Sequence, residues 1–426
     1  MQQVLALAIL LVTVGLVFTR PKGISEGLSA LIGAVLAIIL GLISPAKALN
    51  SVVESWNVFL FFLGMMAIAA LADQSGAIDF LAQLASSISK GSTLRLFILI
   101  CITGAAISTL LANDTTAVVL TPIVYTLVLR LSLDPLPFMF ATTFIADTAS
   151  IGLPVSNPIN LIISEQTGID LPHYVSAMWL PSLLVIVVNI ILFTVLFRRE
   201  LKTRYSVPPK TRASSSAYIT ITILMLIAIT YICASYIGWP LGIVSVIGAA
   251  ILAVNLAKHH KLSIKRLRED ISWSIFPFIT GLVIVVEMLR GIGITDYIGR
   301  FIIRAAGTSL IRQITVTTLS SMIGTNLFNN LPMALIMTRA INDQPLSVAT
   351  KQILSLATIL GCDLGPNLTH FGSLANFLWL FFLRKEGVEI SAVEYAKLGV
   401  VTIPFLLAAA ILGLWITIRF HLWTGI

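Results

Sequence analysis

The stretch Leu110–Val124, with the sequence LLANDTTAVVLTPIV, places polar residues in the middle of an apolar region. The apolar arms on either side, 98–111 and 117–129, are each too short to cross a bilayer, because a spanning helix needs about 20 apolar residues. The pattern therefore predicts a re-entrant hairpin whose tip lies inside the membrane. An ionised carboxylate at that depth costs about 2.5–3.5 kcal/mol, so Asp114 is expected to face protein or water. The alternative is an ordinary spanning helix in which a neighbouring group satisfies Asp114.

The composition indicates a polytopic membrane protein. Hydrophobic residues make up 57% of the 426 residues and charged residues only 11%, whereas soluble domains carry about 25% charged residues. The formal net charge of +8 does not indicate a nucleic-acid partner, since Lys and Arg cluster in short loops between apolar spans, as they do on the cytoplasmic side of membrane proteins. The expected surroundings are therefore the lipid bilayer of the cytoplasmic (inner) membrane, with both termini outside.

The three cysteines are scattered and predict neither a disulfide framework nor a metal site, and no cofactor is expected.

Polar interruptions divide the chain into a series of apolar segments. In the first half we expect spans at 4–19, 25–43, 56–72 and 174–197, an amphipathic segment at 77–90, the hairpin at 94–131 and a broken span at 136–163. In the second half we expect spans at 217–237, 240–257, 272–290 and 398–418, a second short-armed hairpin at 310–341 and a second broken span at 352–383. The breaks are predicted at 152–158 and 363–367, because each contains Gly and Pro residues that cannot continue a regular helix.

The two halves of the chain repeat. Matched pairs occur at a nearly constant separation: Gly64 with Gly281, Asn113 with Asn329, and Asp147 with Asp363. Because each half makes an odd number of crossings, the second half enters the membrane upside down, as in many secondary transporters. The predicted fold is an all-α polytopic membrane protein with two inverted repeats, each of five spans plus one re-entrant hairpin and one broken helix. The repeats cover 1–197 and 217–426, and 198–216 forms a basic cytoplasmic linker.

Titratable residues near the interruptions are candidates for proton coupling, namely Asp114, Asp147, Asp363 and His370. Asp114 is the strongest, because desolvation favours the neutral form of a buried carboxyl group and an amide, Asn330, occupies the matching position. Asp147 and Asp363 precede the two breaks, where each is equally suited to capping unwound backbone. The alternative for His370 is a structural hydrogen bond.

Neutral polar residues cluster at the same places and are the predicted substrate ligands. They are Asn113, Thr115, Thr116, Ser156, Asn157 and Asn160 in the first half, and Asn329, Asn330, Asn367, Thr369, Ser373 and Asn376 in the second. The alternative for each is a hydrogen bond that packs helices together. Substrate is expected between the two hairpin tips and the two unwound segments, with Asp114, Asn330, Asp147 and Asp363 around one pocket.

Three motifs resemble those of the ArsB arsenite efflux permeases. They are Ala112–Ala117 followed by LTPIV, Phe144–Ser150 running on to Ser156-Asn157, and Gly361–Pro366 followed by Gly372–Ala375. The resemblance covers essentially the whole chain. It implies the inverted-repeat fold of the ion transporter superfamily. It also implies export of arsenite and antimonite, the As(III)/Sb(III) oxo-acids, in exchange for protons, in some members with a peripheral ATPase.

The residues themselves are compatible with such a substrate. Neither tip nor break contains Arg or Lys, which suits an uncharged trihydroxide better than a dicarboxylate bound by fixed cations. The prediction is therefore a secondary active transporter, a proton-coupled antiporter, and not an enzyme. Alternatives are a sodium/proton antiporter or an organic-anion carrier of the same superfamily, for which a sodium requirement would argue. An intramembrane enzyme is a remote alternative, since the chain contains neither HExxH nor a paired catalytic aspartate motif.

Overall fold

The computed structural model describes residues 2–19, 24–111, 113, 116–206, 215–237, 239–369 and 372–423. In the first half these residues form α1 (Gln2–Thr19), α2 (Glu26–Ile39), α3 (Pro45–Glu54), α4 (Trp56–Ser75), α5 (Ala77–Ile88), α6 (Thr93–Leu111), α7 (Thr121–Arg130), α8 (Leu136–Ala149), α9 (Pro158–Thr167) and α10 (Leu171–Leu196). In the second half they form α11 (Ser215–Tyr236), α12 (Leu241–Lys258), α13 (Ile264–Asp270), α14 (Ile275–Gly291), α15 (Ile294–Ala306), α16 (Leu310–Phe328), α17 (Asn330–Asn342), α18 (Val348–Leu364), α19 (Leu374–Lys385) and α20 (Ala392–Arg419).

Six of the described helical segments are long and apolar enough to cross a membrane. They are Trp56–Ser75, Thr93–Leu111, Leu171–Leu196, Leu241–Lys258, Ile264–Gly291 and Ala392–Arg419. The stretch Ile264–Gly291 comprises α13 and α14. The all-helical, multi-pass character expected from the composition is confirmed, although α3, α13 and α15 are additional helices that were not predicted as separate elements.

The first predicted hairpin is formed by α6 and α7, which both pack on α8. Ser108 of α6 donates to the carbonyl of Ala146 at 2.5 Å and the Phe97 ring packs edge-on against Phe138, so α6 runs parallel to α8. Thr121 at the start of α7 donates to Thr142 at 3.1 Å, and the turn after α7 leads directly into α8. The two arms are therefore antiparallel.

The length expected for the first arm was wrong. Helix α6 begins at Thr93 and is 19 residues long, so by length and composition it is able to cross a membrane on its own. The expected arm began at residue 98, whereas α6 extends through Arg95, and a single Arg in the first turn of a helix extends its charged head towards water. The second arm also begins differently, with a π-helical turn at Thr116–Leu120 before α7.

Helices α16, α17 and α18 repeat this arrangement in the second half. Thr318 donates to the carbonyl of Ala357 at 3.0 Å, and Asn326 donates to the carbonyl of Gly365 at 2.9 Å, so α16 runs parallel to α18. The second broken span is interrupted by a 3-10 turn at Gly365–Asn367, before α19. In the first half, 3-10 turns at Ser150–Gly152 and Pro154–Ser156 occupy the break between α8 and α9. Both predicted interruptions therefore lie where helices end, while the inversion of the two halves stays a prediction.

Close glycine contacts join the two halves. Gly64 of α4 lies against the backbone of Ser245 in α12, and Gly281 of α14 lies against the backbone of Ala30 in α2. A side chain at either glycine would overlap these atoms. Since each contact pairs a helix of one half with a helix of the other, α2, α4, α12 and α14 form part of the interface between the halves.

The beginning of the linker is fixed to the first hairpin. Thr93 donates its backbone N–H to Thr203, and Tyr205 donates its own to Gly91. The buried Tyr205 hydroxyl also donates to the carbonyl of Ser86 at 2.9 Å. Residues 203–205 of the predicted linker 198–216 are therefore part of the folded structure at the start of α6.

Candidate functional site

The two hairpin tips and the two breaks meet at a small, partly open cavity of about 30 Å³. Its polar lining comes from both halves of the chain and consists of Asn113, Asn157, Asn329, Asn330 and Ser373. Apolar residues complete the wall: Phe62, Pro158, Ile159, Ile275, Phe278 and Leu331. No Arg or Lys occurs among these lining residues. A cavity of this size holds one or two water molecules.

Asp363 lies behind this lining and links the second break to the first. One of its carboxylate oxygens accepts a hydrogen bond from the amide of Asn157 at 2.7 Å, and the other accepts one from the amide of Asn160 at 3.0 Å. All three side chains are almost completely buried. Hydrogen bonds to a charged group are worth about 1.5–3 kcal/mol each, so this cluster is a strong connection between the halves.

Asp147 occupies the corresponding position behind the first hairpin tip. Its carboxylate accepts a long hydrogen bond of 3.4 Å from the amide of Asn113, and it is also buried. Neither Asp147 nor Asp363 is among the residues that line the cavity. The expectation that both carboxylates surround one pocket is therefore modified: an amide separates each of them from the cavity.

The second break makes a matching set of contacts with the first half. Asn376 accepts a hydrogen bond from Thr143 at 2.8 Å and donates to the carbonyl of Pro366 at 2.9 Å. Asn160 likewise donates to a break carbonyl, that of Ser150, at 2.9 Å. Because helix breaks leave carbonyl groups without intrahelical partners, each buried Asn stabilises its own break as well as the contact between the halves.

Two buried tyrosines support the same breaks from the following helices. Tyr174 in the first turn of α10 donates to the carbonyl of Ile151 at 3.0 Å, and Tyr395 in the first turn of α20 donates to the carbonyl of Pro366 at 3.3 Å. Neither tyrosine was predicted, nor was Thr143. Their sequence signal was weak, because a Tyr or Thr within an apolar span is usually a packing residue and no pattern relates it to a break.

The tip of the second hairpin is strained. Asn329 has φ 76° and ψ 158°, a backbone region that is essentially restricted to glycine. Its side chain accepts the backbone N–H of Leu331 at 3.4 Å, and the backbone N–H of its neighbour Asn330 bonds to Gly372 at 2.9 Å. Such strain costs about 1–3 kcal/mol and concentrates at binding and switch regions.

The other predicted ligands divide into three groups. Ser156 donates to the carbonyl of Thr109 and Thr369 to the amide of Asn326, so both tie a break to a hairpin arm. Thr116 and Asn367 are fully buried with side-chain atoms that make no hydrogen bond within the described structure. The remaining predicted residues lie outside the described part of the chain and are Asp114, Thr115 and His370. The roles of all these residues in transport stay predictions.

Comparisons with known proteins agree with this architecture. The family model ArsB, described as arsenical pump membrane protein, matches residues 5–418. The chain is 32% identical over 412 residues to an arsenical pump membrane protein of Escherichia coli strain K12, with 94% of this chain and 96% of that protein covered. It is 30% identical over 427 residues to one of Yersinia enterocolitica, with 97% and 100% covered.

A solved structure extends the comparison to the fold. The YdaH transporter of Alcanivorax borkumensis matches with a TM-score of 0.61 at 12% identity, covering 88% of this chain and 89% of that one. The family model and the relatives extend over nearly the whole chain. The protein is therefore a membrane transporter that belongs to the ArsB family of arsenical pump membrane proteins.

Proposed function

We propose that this protein exports arsenite and antimonite across the cytoplasmic membrane in exchange for protons. The observation that carries the proposal is the amide-lined cavity between the two hairpin tips and the two breaks. The names of the relatives, arsenical pump membrane proteins, support the substrate class.

The lining of the cavity suits a small uncharged oxo-acid. As(III) near neutral pH is a trihydroxide, and each hydroxyl both donates and accepts hydrogen bonds. The amides of Asn113, Asn157, Asn329 and Asn330 offer both functions as well, and the lining residues contain no cation that would favour an anion. Three hydroxyl groups need more room than one or two waters, so the cavity has to widen when substrate enters.

Buried carboxylates next to this cavity provide a route to proton coupling. Asn113 connects the cavity with Asp147, and Asn157 connects it with Asp363. A carboxylate only accepts hydrogen bonds, whereas its protonated form also donates one. Protonation of either Asp therefore changes which amide atoms are available to substrate, so that proton and substrate binding are coupled. Asp114 and His370 remain proton-carrier candidates from the sequence.

A transport assay tests the proposal directly. A pH gradient is imposed across the membrane of inverted vesicles. Uptake of arsenite and antimonite into these vesicles is measured with and without the gradient. We expect uptake to require a gradient that is acidic inside the vesicle and to be unaffected when sodium is replaced by choline. Uptake that follows a sodium gradient would instead support the sodium-coupled alternative. A matched pair of preparations, with and without a peripheral ATPase and ATP, tests whether this chain also works with the ATPase that the family resemblance implies for some members.

Asp114→Asn is expected to abolish proton-driven uptake while leaving the protein folded and inserted. The amide keeps the size and most of the hydrogen bonding of the side chain, and an amide already occupies the matching position at Asn330, but it cannot carry a proton. The measurement is uptake against a concentration gradient in inverted vesicles, normalised to the amount of inserted protein. Uptake at the wild-type rate would exclude Asp114 as the obligatory proton carrier.

Replacement of all three cysteines by alanine is expected to preserve arsenite resistance in cells. Cys101 and Cys362 are buried in separate apolar clusters and Cys233 is exposed, so they cannot bind one As(III) centre together. The measurement is growth of arsenite-sensitive cells that express either protein. Loss of resistance at normal expression would contradict binding through oxygen and amide groups and would favour a thiol ligand.

A further inference from the structure

An apolar groove follows helix α20 on the outside of the helix bundle. It consists of two adjoining hollows, of about 760 and 490 Å³, which share Val400. Their walls are formed by α20 from Ala392 to Ile411, by Leu319 and Met322 of α16, and by Leu368 and Thr369 after the second break. Among these lining residues only Thr369 and Lys397 are polar. We refer to this surface as the α20 groove.

The groove is open rather than filled by the protein. Val393 and Val400 are each 62% exposed, and Val401 is 48% exposed. Exposed valines along a spanning helix face acyl chains in a membrane, and the two hollows beside them are shallow and wide open. A flexible chain can follow such a shallow surface along α20 more closely than a straight helix can.

The position of Lys397 indicates the charge of the occupant. Lys397 lines one hollow and is exposed. The nearby Glu394 carboxylate accepts hydrogen bonds from the backbone and hydroxyl of Ser391 at 2.8 and 2.9 Å, so it is held at the helix cap, from where it attracts Lys397 only electrostatically. Lys side chains next to apolar surface extend their ammonium groups to the phosphate level of a bilayer. From Lys397 to Ile411 the groove runs for about 21 Å at 1.5 Å per residue, which is longer than one half of a hydrocarbon core of about 30 Å.

From these features we propose that the α20 groove binds one anionic phospholipid, with its phosphate at Lys397 and an acyl chain along Val400 towards Ile411. The bound chain contacts Leu368 and therefore packs against the second break. A second copy of the protein is a less suitable occupant, because a symmetric pairing of α20 helices would bring two Lys397 side chains to the same surface.

The test is retention of lipid by the purified full-length protein in detergent, measured by native mass spectrometry. The probes are phosphatidylglycerol and phosphatidylcholine with identical acyl chains. We expect about fivefold stronger retention of phosphatidylglycerol, the factor expected from about 1 kcal/mol per Lys near an anionic headgroup. Lys397→Gln should remove this preference, and Val400→Trp should remove retention of both lipids by filling the groove.

The matched control is Val195→Trp on α10, since Val195 is 59% exposed but does not line the groove. It should retain phosphatidylglycerol like the wild type, and size-exclusion chromatography confirms that each variant is folded. Equal retention of the two lipids by the wild type, or equal retention by Val400→Trp and Val195→Trp, would overturn the proposal. A dimer that Val400→Trp dissociates without any change in bound lipid would assign the groove to a second copy and equally overturn it.

Discussion

A valine at position 281 is expected to prevent the chain from reaching a stable, monodisperse state, and an alanine there to lower its stability by about 1–3 kcal/mol. Gly281 in α14 lies against the backbone of Ala30 in α2, and even one Cβ atom would come closer than 3.0 Å to Ala30 backbone atoms. A backbone cannot turn aside as a flexible side chain can, so α2 and α14 would have to separate. The measurement is the apparent melting temperature of each purified variant in detergent.

The same helix supplies the control. Gly291, the last residue of α14, has no atom within 4 Å of its added Cβ, so Gly291→Ala should leave the melting temperature nearly unchanged. Gly64→Ala in α4 should behave like Gly281→Ala, because Gly64 lies against the backbone of Ser245. Equal melting temperatures for the two α14 variants would show that the contact between the halves is not close.

Asp363→Asn is expected to reduce the initial transport rate at least about seventyfold. The carboxylate accepts one amide N–H at each oxygen, from Asn157 and from Asn160. An Asn side chain has a single acceptor oxygen, so its NH₂ group would face one of these two donors. Loss of a charged hydrogen bond is worth about 1.5–3 kcal/mol and an unsatisfied buried donor costs about 1–3 kcal/mol more, and 1.36 kcal/mol corresponds to a tenfold change in rate.

Uptake in inverted vesicles measures this effect, with Asp296→Asn as the control. Asp296 pairs with Arg300 at the surface at 2.9 Å, and its replacement should change uptake little because exposed pairs contribute about 0–1 kcal/mol. The double variant Asn157→Asp with Asp363→Asn exchanges the two partners and again places an acceptor opposite a donor. Its melting temperature should therefore be higher than that of Asp363→Asn alone and close to that of the wild type. A wild-type uptake rate for Asp363→Asn alone would show that the connection between the breaks is not needed for transport.

The hydrogen bonds of Asp363 matter because they bring residues of both halves together around the cavity. Each carboxylate lies beside one break, and the amides that bind Asp363 come from the break of the other half, Asn157, and from the helix that follows it, Asn160. Thr143 and Asn376 form a second connection between the halves. Any movement that changes access to the cavity must therefore move both breaks together or break these hydrogen bonds.

Much of this architecture could be predicted from the sequence. The low charge content and the apolar segments determine a multi-pass helical protein, because unpaired backbone groups are not tolerated in lipid. Gly and Pro residues locate the two breaks, since they cannot continue a helix. Motifs around Asp147 and Asp363 identify the ArsB family, which the family model and the relatives confirm. The amides Asn113, Asn157, Asn329 and Asn330 were predicted as ligands, and all four line the cavity.

Only the tertiary structure shows which of these residues line the cavity and which lie behind the lining and hold it in place. A sequence places Asp147 and Asp363 near breaks, but only packing puts an amide between each carboxylate and the cavity. Likewise, periodicity cannot show that Tyr174 and Tyr395 bind break carbonyls, because those contacts depend on where the next helix returns. The physical reason is that helix formation and membrane insertion depend on local composition, whereas hydrogen bonds between distant segments depend on how the helices pack.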